Sequence, residues 1–469
     1  MAPPTFPSGL DEHALPSTSI IETWIEEVFS HGVRRPGYDA DVWAEQFIAE
    51  QFRDFGLESV RLELANLTRW TPHDCSVRFV TSDGTTREID AFPLPHAPAV
   101  ADLEVELVVF DDDHPELAAG KAALVDAPLL SAAPATFAHM NVDPDDTEPR
   151  VYDPDGTFAD ESHLLPFTRF VQDVTDSTAA AGAAVFLGTL TGYPADSFRY
   201  YVPYTGEPGA IPGVWISGTD GAWLRERAAE GPVTVHISID VTDEPFVSHN
   251  VVGELPGADD EVVMIGSHHD GPWSSAVEDG TGIALVLAQA KFWATQPPEA
   301  RPHRLVFVVQ AGHMCGAAGL HAYIETHRDV LEQVVLAVHL EHAALDAVER
   351  DGELVVSDRC TPRWFFTSRN PNLERSVFDS IVAEDLRRSM LLVPDAIGPR
   401  PTTDGSYYFD EGVPIVQFLS APFYLFDEMD TLDKVDRTNL LPLTRAAVRI
   451  VESTRGVSAS AMRAGTRSS

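Results

Sequence analysis

The stretch Val262-Val263-Met264-Ile265-Gly266-Ser267-His268-His269-Asp270-Gly271-Pro272-Trp273, running on to Glu278-Asp279-Gly280-Thr281-Gly282, decides the fold. Val262 to Ile265 is a short apolar run and predicts a buried strand. Glycine and proline then break the chain into a loop, and Gly282 to Trp293 predicts a helix. The unit recurs downstream. Leu305 to Val309 predicts a second strand with a helix near Gly319 to Ile324, Val334 to Leu340 a third strand, and Ile415 to Leu419 a fourth. Buried strands alternating with helices predict an α/β architecture, a mixed and mostly parallel sheet flanked by helices. Ligands in such folds bind where strands end.

Upstream, the spacing of Ile20, Ile21, Trp24, Ile25 and Val28, and of Trp43, Phe47, Ile48 and Phe52, predicts two amphipathic helices between Ser19 and Phe55. Arg61 to Phe92 alternates apolar and polar residues and predicts strands. From Ala97 to Pro245 the texture changes. Short strands (Leu103 to Phe110, Ala122 to Val125, Ala183 to Leu187, Val233 to Val241) are joined by long connections rich in Pro, Asp and Gly. Val142 to Glu161 carries too many acids, prolines and glycines to pack and is expected as a loop or flap. The expected organisation is a discontinuous core of residues 16–96 and 246–456, an inserted β-rich domain of residues 97–245, and a disordered tail of residues 457–469.

The chain has 469 residues, 73 of them acidic and 32 basic, for a formal charge of −41. Such a field repels phosphate backbones and excludes a nucleic-acid partner. Acidic runs such as Asp111-Asp112-Asp113 read as solvated loops. Cys75, Cys315 and Cys360 are too few and too scattered for a disulfide framework. The start of the chain lacks a basic stretch followed by an apolar run, and nothing approaches the length of a membrane span. The expectation is a cytoplasmic protein with no membrane partner. Dimerisation stays open.

Four strand-end loops carry the chemistry: Ser267 to Gly282, Ala311 to Gly316, His339-Leu340-Glu341-His342, and Thr403-Asp404 with Phe426 to Thr431. Imidazoles and carboxylates gathered on one edge of a sheet suit a divalent metal ion, which takes N and O ligands at about 2.0–2.2 Å in the case of zinc. A carboxylate two residues after a histidine can accept the ring's other N–H and fix its tautomer. His339 and His342 flank Glu341; His339, two residues before it, could support a ligand from behind, but a solvent or core role is the expected reading. Cys315 reads as a small buried residue rather than a nucleophile.

With these motifs the chain resembles the co-catalytic zinc exopeptidases, the group of bacterial aminopeptidases and glutamate carboxypeptidase II. The resemblance rests on the His268-x-Asp270 motif, the lead-in Asn250 to Gly257, Tyr323, the Gly412-Val413-Pro414 turn and Asp430-Thr431. It extends to the insert, where Leu190 to Ala195 and Ile211 to Ile216 look like a protease-associated domain. The resemblance implies His268 as a metal ligand, Asp270 as its catalytic support, and Glu278 as the bridging carboxylate, with Asp279 beside it as the alternative. It implies His313 at the general-base position, Glu341 as a third metal ligand, and Met314 and Phe426 where the family's second ion is held. A thioether and a phenyl ring cannot hold a hard or borderline cation.

The expected function is therefore a metal-dependent hydrolase of an amide or related C–N bond with one divalent ion. Zinc is the first expectation, with manganese, iron and cobalt as alternatives. A metal-activated water is the nucleophile and His313 the base. Trp273, Tyr204 and Phe426 are the candidate contacts to a peptide or small-molecule substrate. The alternatives are an inactive peptidase-fold binding protein, or non-hydrolytic metal chemistry on a two-histidine, one-carboxylate set.

Overall fold

The computed structural model describes residues 6–168, 171–351, 353–401 and 403–465. Helices α1 (Thr18–Ser30) and α2 (Asp39–Phe55) open it. α1 buries Ile21, Trp24, Ile25 and Val28, a single stripe at helical spacing. α2 ends at Gly56, whose φ of 87° is left-handed and costs a glycine little.

Two long strands, β1 (Glu58–Thr81) and β2 (Val233–Leu255), pair antiparallel along most of their length. They tie the two halves of the molecule into one hydrogen-bonded sheet. Toward its N-terminal end β2 pairs with Val100–Val109, and from there the sheet continues through Ala122–Asp126, Val185–Thr189 and Gly213–Ile216. At its C-terminal end β2 pairs with the core. That part consists of β3 (Val262–His268), β4 (Arg304–Gln310), β5 (Val334–Leu340), β6 (Arg363–Thr367), β7 (Ser389–Leu392) and β8 (Ile415–Ser420). The order from β2 is β4, β3, β5, β8, β6, β7. β4, β3, β5 and β8 run parallel, so their C-terminal ends share one edge.

The core strands are buried on both faces, as their continuous apolar runs require. Val263, Ile265, Phe307 and Val309 join a core with Ile283 and Leu287 of α3 (Gly282–Thr295). Val262, Met264, Val306 and Val308 face the other way, onto Leu320, Tyr323 and Ile324 of α4 (Ala318–Thr326). The expected mixed sheet flanked by helices is what the chain forms. Among the described residues no helix is long and apolar enough to cross a membrane.

The 142–161 segment is the irregular, mostly exposed loop expected, anchored at a few points. Val151–Tyr152 adds a strand to the edge of β7, Arg150 pairs with Glu374, and Phe158 is fully buried beneath Arg388. The expected disordered tail is a helix as far as the described residues reach, Ala459–Gly465. Its buried Ala459 and Met462 face the core, and Arg463 donates to the carbonyls of Glu332 at 2.8 Å and Gly412 at 3.1 Å. One apolar pair and one guanidinium are enough to dock it, and composition hides both. Met462→Ala is expected to lower the unfolding free energy by about 2 kcal/mol, measured by chemical denaturation; an undocked tail would give no change.

Candidate metal centre

The loop after β3 is pinned by residues distant in sequence. Arg34 is fully buried, and its guanidinium donates to the carbonyls of His269 (3.2 Å), Ser275 (2.8 Å), Glu278 (3.3 Å) and Ser274. A planar fork with five donors suits such a ring of acceptors. Asp430 accepts the N–H groups of Val277 and Glu278, each at 2.8 Å. The backbone of Glu278 is thus held from both sides. His269, beside His268, is scaffold: its ring lies 2.6 Å from Asp41 and 3.0 Å from the carbonyl of His249.

The loop after β4 turns through Gly312 and Gly316, both left-handed at φ near 67° and 66°. Asp270 accepts the N–H groups of His313 (3.0 Å) and Met314 (2.7 Å). The expected support of His268 by that carboxylate is therefore corrected. The ring's Nδ1 lies 2.9 Å from the main-chain carbonyl of Asp270, and the nearer carboxylate oxygen is 3.8 Å away. The carboxylate reaches across to β4 instead, where two backbone donors satisfy it.

His268, Glu278 and Glu341 come together, as do His313, His339, His342 and Asp404. His268 Nε2 is 3.2 Å from Glu278 Oε1, and His313 Nε2 is 3.8 Å from the same oxygen. His342 Nε2 contacts Glu278 Oε2. His339 Nε2 is 3.0 Å from Glu341 Oε1 and 3.6 Å from Asp404 Oδ2. Two ligands of one tetrahedral zinc ion, each about 2.1 Å from it, would stand roughly 3.4 Å apart. These separations bracket that value.

The cluster also passes a hydrogen-bond test for a metal. His268 Nε2, both oxygens of Glu278, Glu341 Oε1, Asp404 Oδ2, His339 Nε2 and His342 Nε2 are buried with no hydrogen-bond partner. Buried polar atoms are normally paired, and several orphans aimed at one another are explained by an ion. One ligand atom each from His268, Glu278 and His313 lies within 4.8 Å of the others, and the same holds for His268, Glu341 and Asp404. These residues fit a divalent ion.

The other nitrogen of several rings is committed. Nδ1 of His268 faces the Asp270 carbonyl, Nδ1 of His342 faces the Ser420 carbonyl at 2.8 Å, and Nδ1 of His313 meets Asp404 Oδ1. A carbonyl only accepts, so in the first two rings Nδ1 carries the proton and Nε2 is left to bind. Burial opposes positive charge on His342, yet Glu278, Glu341 and Asp279 outweigh it and raise its pKa to about 10. His268 is raised to about 9, against burial and the His313 ring, by Glu278 and Asp279. Glu278 is held well below the usual carboxylate range by His342 and His268, although burial pushes the other way. The pocket is built to hold positive charge.

The candidate substrate contacts are placed differently from one another. The Tyr204 ring stacks on His313 at 5.5 Å, and His313 in turn stacks on His268 at 4.1 Å. The Phe426 ring lies 5.0 Å from Tyr204. Trp273 is turned away. Its ring lies between the guanidiniums of Arg35 and Arg199, and its indole N–H donates to the Phe426 carbonyl. Met314 is fully buried.

His339, His342 and Asp404 are the residues that sequence reasoning left out of the site. His339 lies two residues before Glu341 on β5, a same-face position that signalled it. His342 takes a left-handed backbone, φ 38°, that swings its ring back toward Glu278, and no sequence pattern announces such a turn at a histidine. Asp404 stands at the start of α5 (Gly405–Asp410), far along the chain from the residues it meets.

Residues 250–451 match Peptidase family M28. Three solved structures share the fold over nearly the whole chain. The aminopeptidase from Aneurinibacillus sp. strain AM-1 is 15% identical, with 95% of this chain and 96% of that one covered and a TM-score of 0.64. A Peptidase M28 precursor from Shewanella amazonensis SB2B is 19% identical, covering 93% and 96%, with a TM-score of 0.66. BSAP, a zinc aminopeptidase from Bacillus subtilis, is 14% identical, covering 93% and 95%, with a TM-score of 0.66. At these identities the likeness is one of fold. No curated protein matches the chain. The expected resemblance is borne out in the fold over nearly the whole chain and in the family match over residues 250–451.

Asp430→Ala would strand the buried N–H groups of Val277 and Glu278. The expected cost is about 2–4 kcal/mol of stability, read by denaturant unfolding, with weaker metal retention on dialysis against a mild chelator.

Proposed function

We propose that this chain, whose core carries a Peptidase family M28 domain, hydrolyses an amide or related C–N bond at a metal centre held by His268, Glu278 and Glu341. The observation that carries the reading is the convergence of buried imidazole and carboxylate atoms that have no hydrogen-bond partner. A divalent ion bound there supplies Lewis acidity, acidifying a water molecule and polarising the carbonyl under attack. Zinc is favoured by the N/O donor set, and three protein ligands would leave a position open for water. Manganese or iron would instead suit the two-histidine, one-carboxylate set of His268, His313 and Glu278, in which His313 would be a ligand in place of the base.

His313 is the base. Asp404 meets its Nδ1, which fixes the tautomer with Nε2 facing the cluster. Nε2 accepts the proton of the attacking water and returns it to the leaving nitrogen, so the C–N bond breaks with no net change in the protein. Asp270 positions His313 through its backbone N–H. The segment bearing Tyr204 belongs to the 97–245 insert, read as a protease-associated-like domain. Tyr204 stacks on His313 and Phe426 packs on Tyr204, which limits water at the base. A fold kept for binding alone has no use for so many desolvated ligand atoms, whose burial costs several kcal/mol per charge.

Stripping with a chelator is expected to abolish hydrolysis of a panel of aminoacyl and small amide substrates, and zinc or manganese to restore it. His268→Ala should lose both metal and activity. His313→Ala should keep its metal while kcat falls by about 10²–10⁴. Phe426→Ala should leave metal content unchanged, as measured by elemental analysis. Full activity and metal in His268→Ala would sink the reading.

A further inference from the structure

Glu341 presents different surroundings to its two oxygens. Oε2 lies toward the Glu278 side, 4.0 Å from His342 Nε2. Oε1 lies on the other side, 3.0 Å from His339 Nε2. His339 Nε2 is also 3.6 Å from Asp404 Oδ2. His339, Glu341 and Asp404 are 3%, 2% and 1% exposed, and the three atoms that face one another all lack a hydrogen-bond partner. Separations of 3.0 and 3.6 Å suit ligands of one ion, for which about 3.4 Å is expected in tetrahedral zinc.

Hydrogen bonding within the trio does not explain the arrangement. Glu341 Oε1 and Asp404 Oδ2 are acceptors when ionised, and neither contact with His339 meets hydrogen-bond geometry. Two carboxylates and one imidazole in a dry pocket call for a cation beyond the one at His268.

We propose that His339 Nε2, Glu341 Oε1 and Asp404 Oδ2 form a second divalent-cation position, joined to the first by the carboxylate of Glu341. This rests on reading the cluster as a metal centre. The position uses residues other than Met314 and Phe426, whose side chains offer no such ligand, so a second ion is held by a different route along the chain. The single ion expected from the sequence becomes one of two. Asp404 then touches both the second ion through Oδ2 and His313 through Oδ1, linking that ion to the base without a direct contact.

The test is metal content and position in the full chain, reconstituted with zinc and freed of excess. Elemental analysis should give about two equivalents for the wild type and about one for His339→Ala. Anomalous diffraction at the zinc edge from wild-type crystals should show two peaks, one within bonding distance of His339 Nε2. That measurement stands even if the variant fails to fold. One equivalent in the wild type, or a single peak away from His339, overturns the second position and leaves the proposed hydrolase intact. No bound zinc in the wild type overturns both. Two peaks with neither near His339 also overturn this inference.

Discussion

Glu278 is sealed from solvent with imidazoles on both of its oxygens, and the molecule is arranged to keep it there. A buried carboxylate costs several kcal/mol unless opposite charge and fixed dipoles compensate. Compensation works only at short range, so the backbone at Glu278 must be held closely. Arg34 holds its carbonyl and Asp430 its N–H. Neither touches the cluster directly. Both are scaffold whose purpose is geometry, and the fold places one before the sheet begins and the other after its last core strand.

The same logic links the two halves of the chain. β1 and β2 pass without interruption from the core sheet into the insert, so the insert's position relative to the strand ends is set by hydrogen bonds rather than by a flexible linker. Tyr200 bridges to Asp427, Tyr201 donates its N–H to Phe426, and Gly316 donates its N–H to Tyr204. The aromatic wall over His313 is therefore anchored to the core through its backbone. A preorganised and largely dry pocket strengthens each electrostatic contact within it.

Much of this was legible in the residue order because it depends on local patterns. Val262 to Ile265 is apolar without alternation, and it lies in a sheet covered on both faces. His268 stands at a strand end, where such sheets place ligands. Less legible were features that depend on where a side chain points. Asp270 is two residues from His268 and looked like its carboxylate partner, yet its oxygens serve the backbone of another loop. Trp273 lies in the metal loop but faces two guanidiniums. Spacing along a strand gives a face; spacing along a loop gives nothing comparable, because each φ/ψ pair is free to redirect the chain.

Residue order alone determined the α/β class, the helices that open the chain, and the strand ends that carry His268, Glu278 and Glu341. Tertiary structure decided which groups actually meet. His339, His342 and Asp404 entered the cluster, Asp270 and Trp273 turned to other tasks, and a small polar terminus became a docked helix. The physical reason is range. Periodicity and turn chemistry act over a few residues, whereas an imidazole and a carboxylate more than sixty positions apart become neighbours only after the sheet has closed the distance between them.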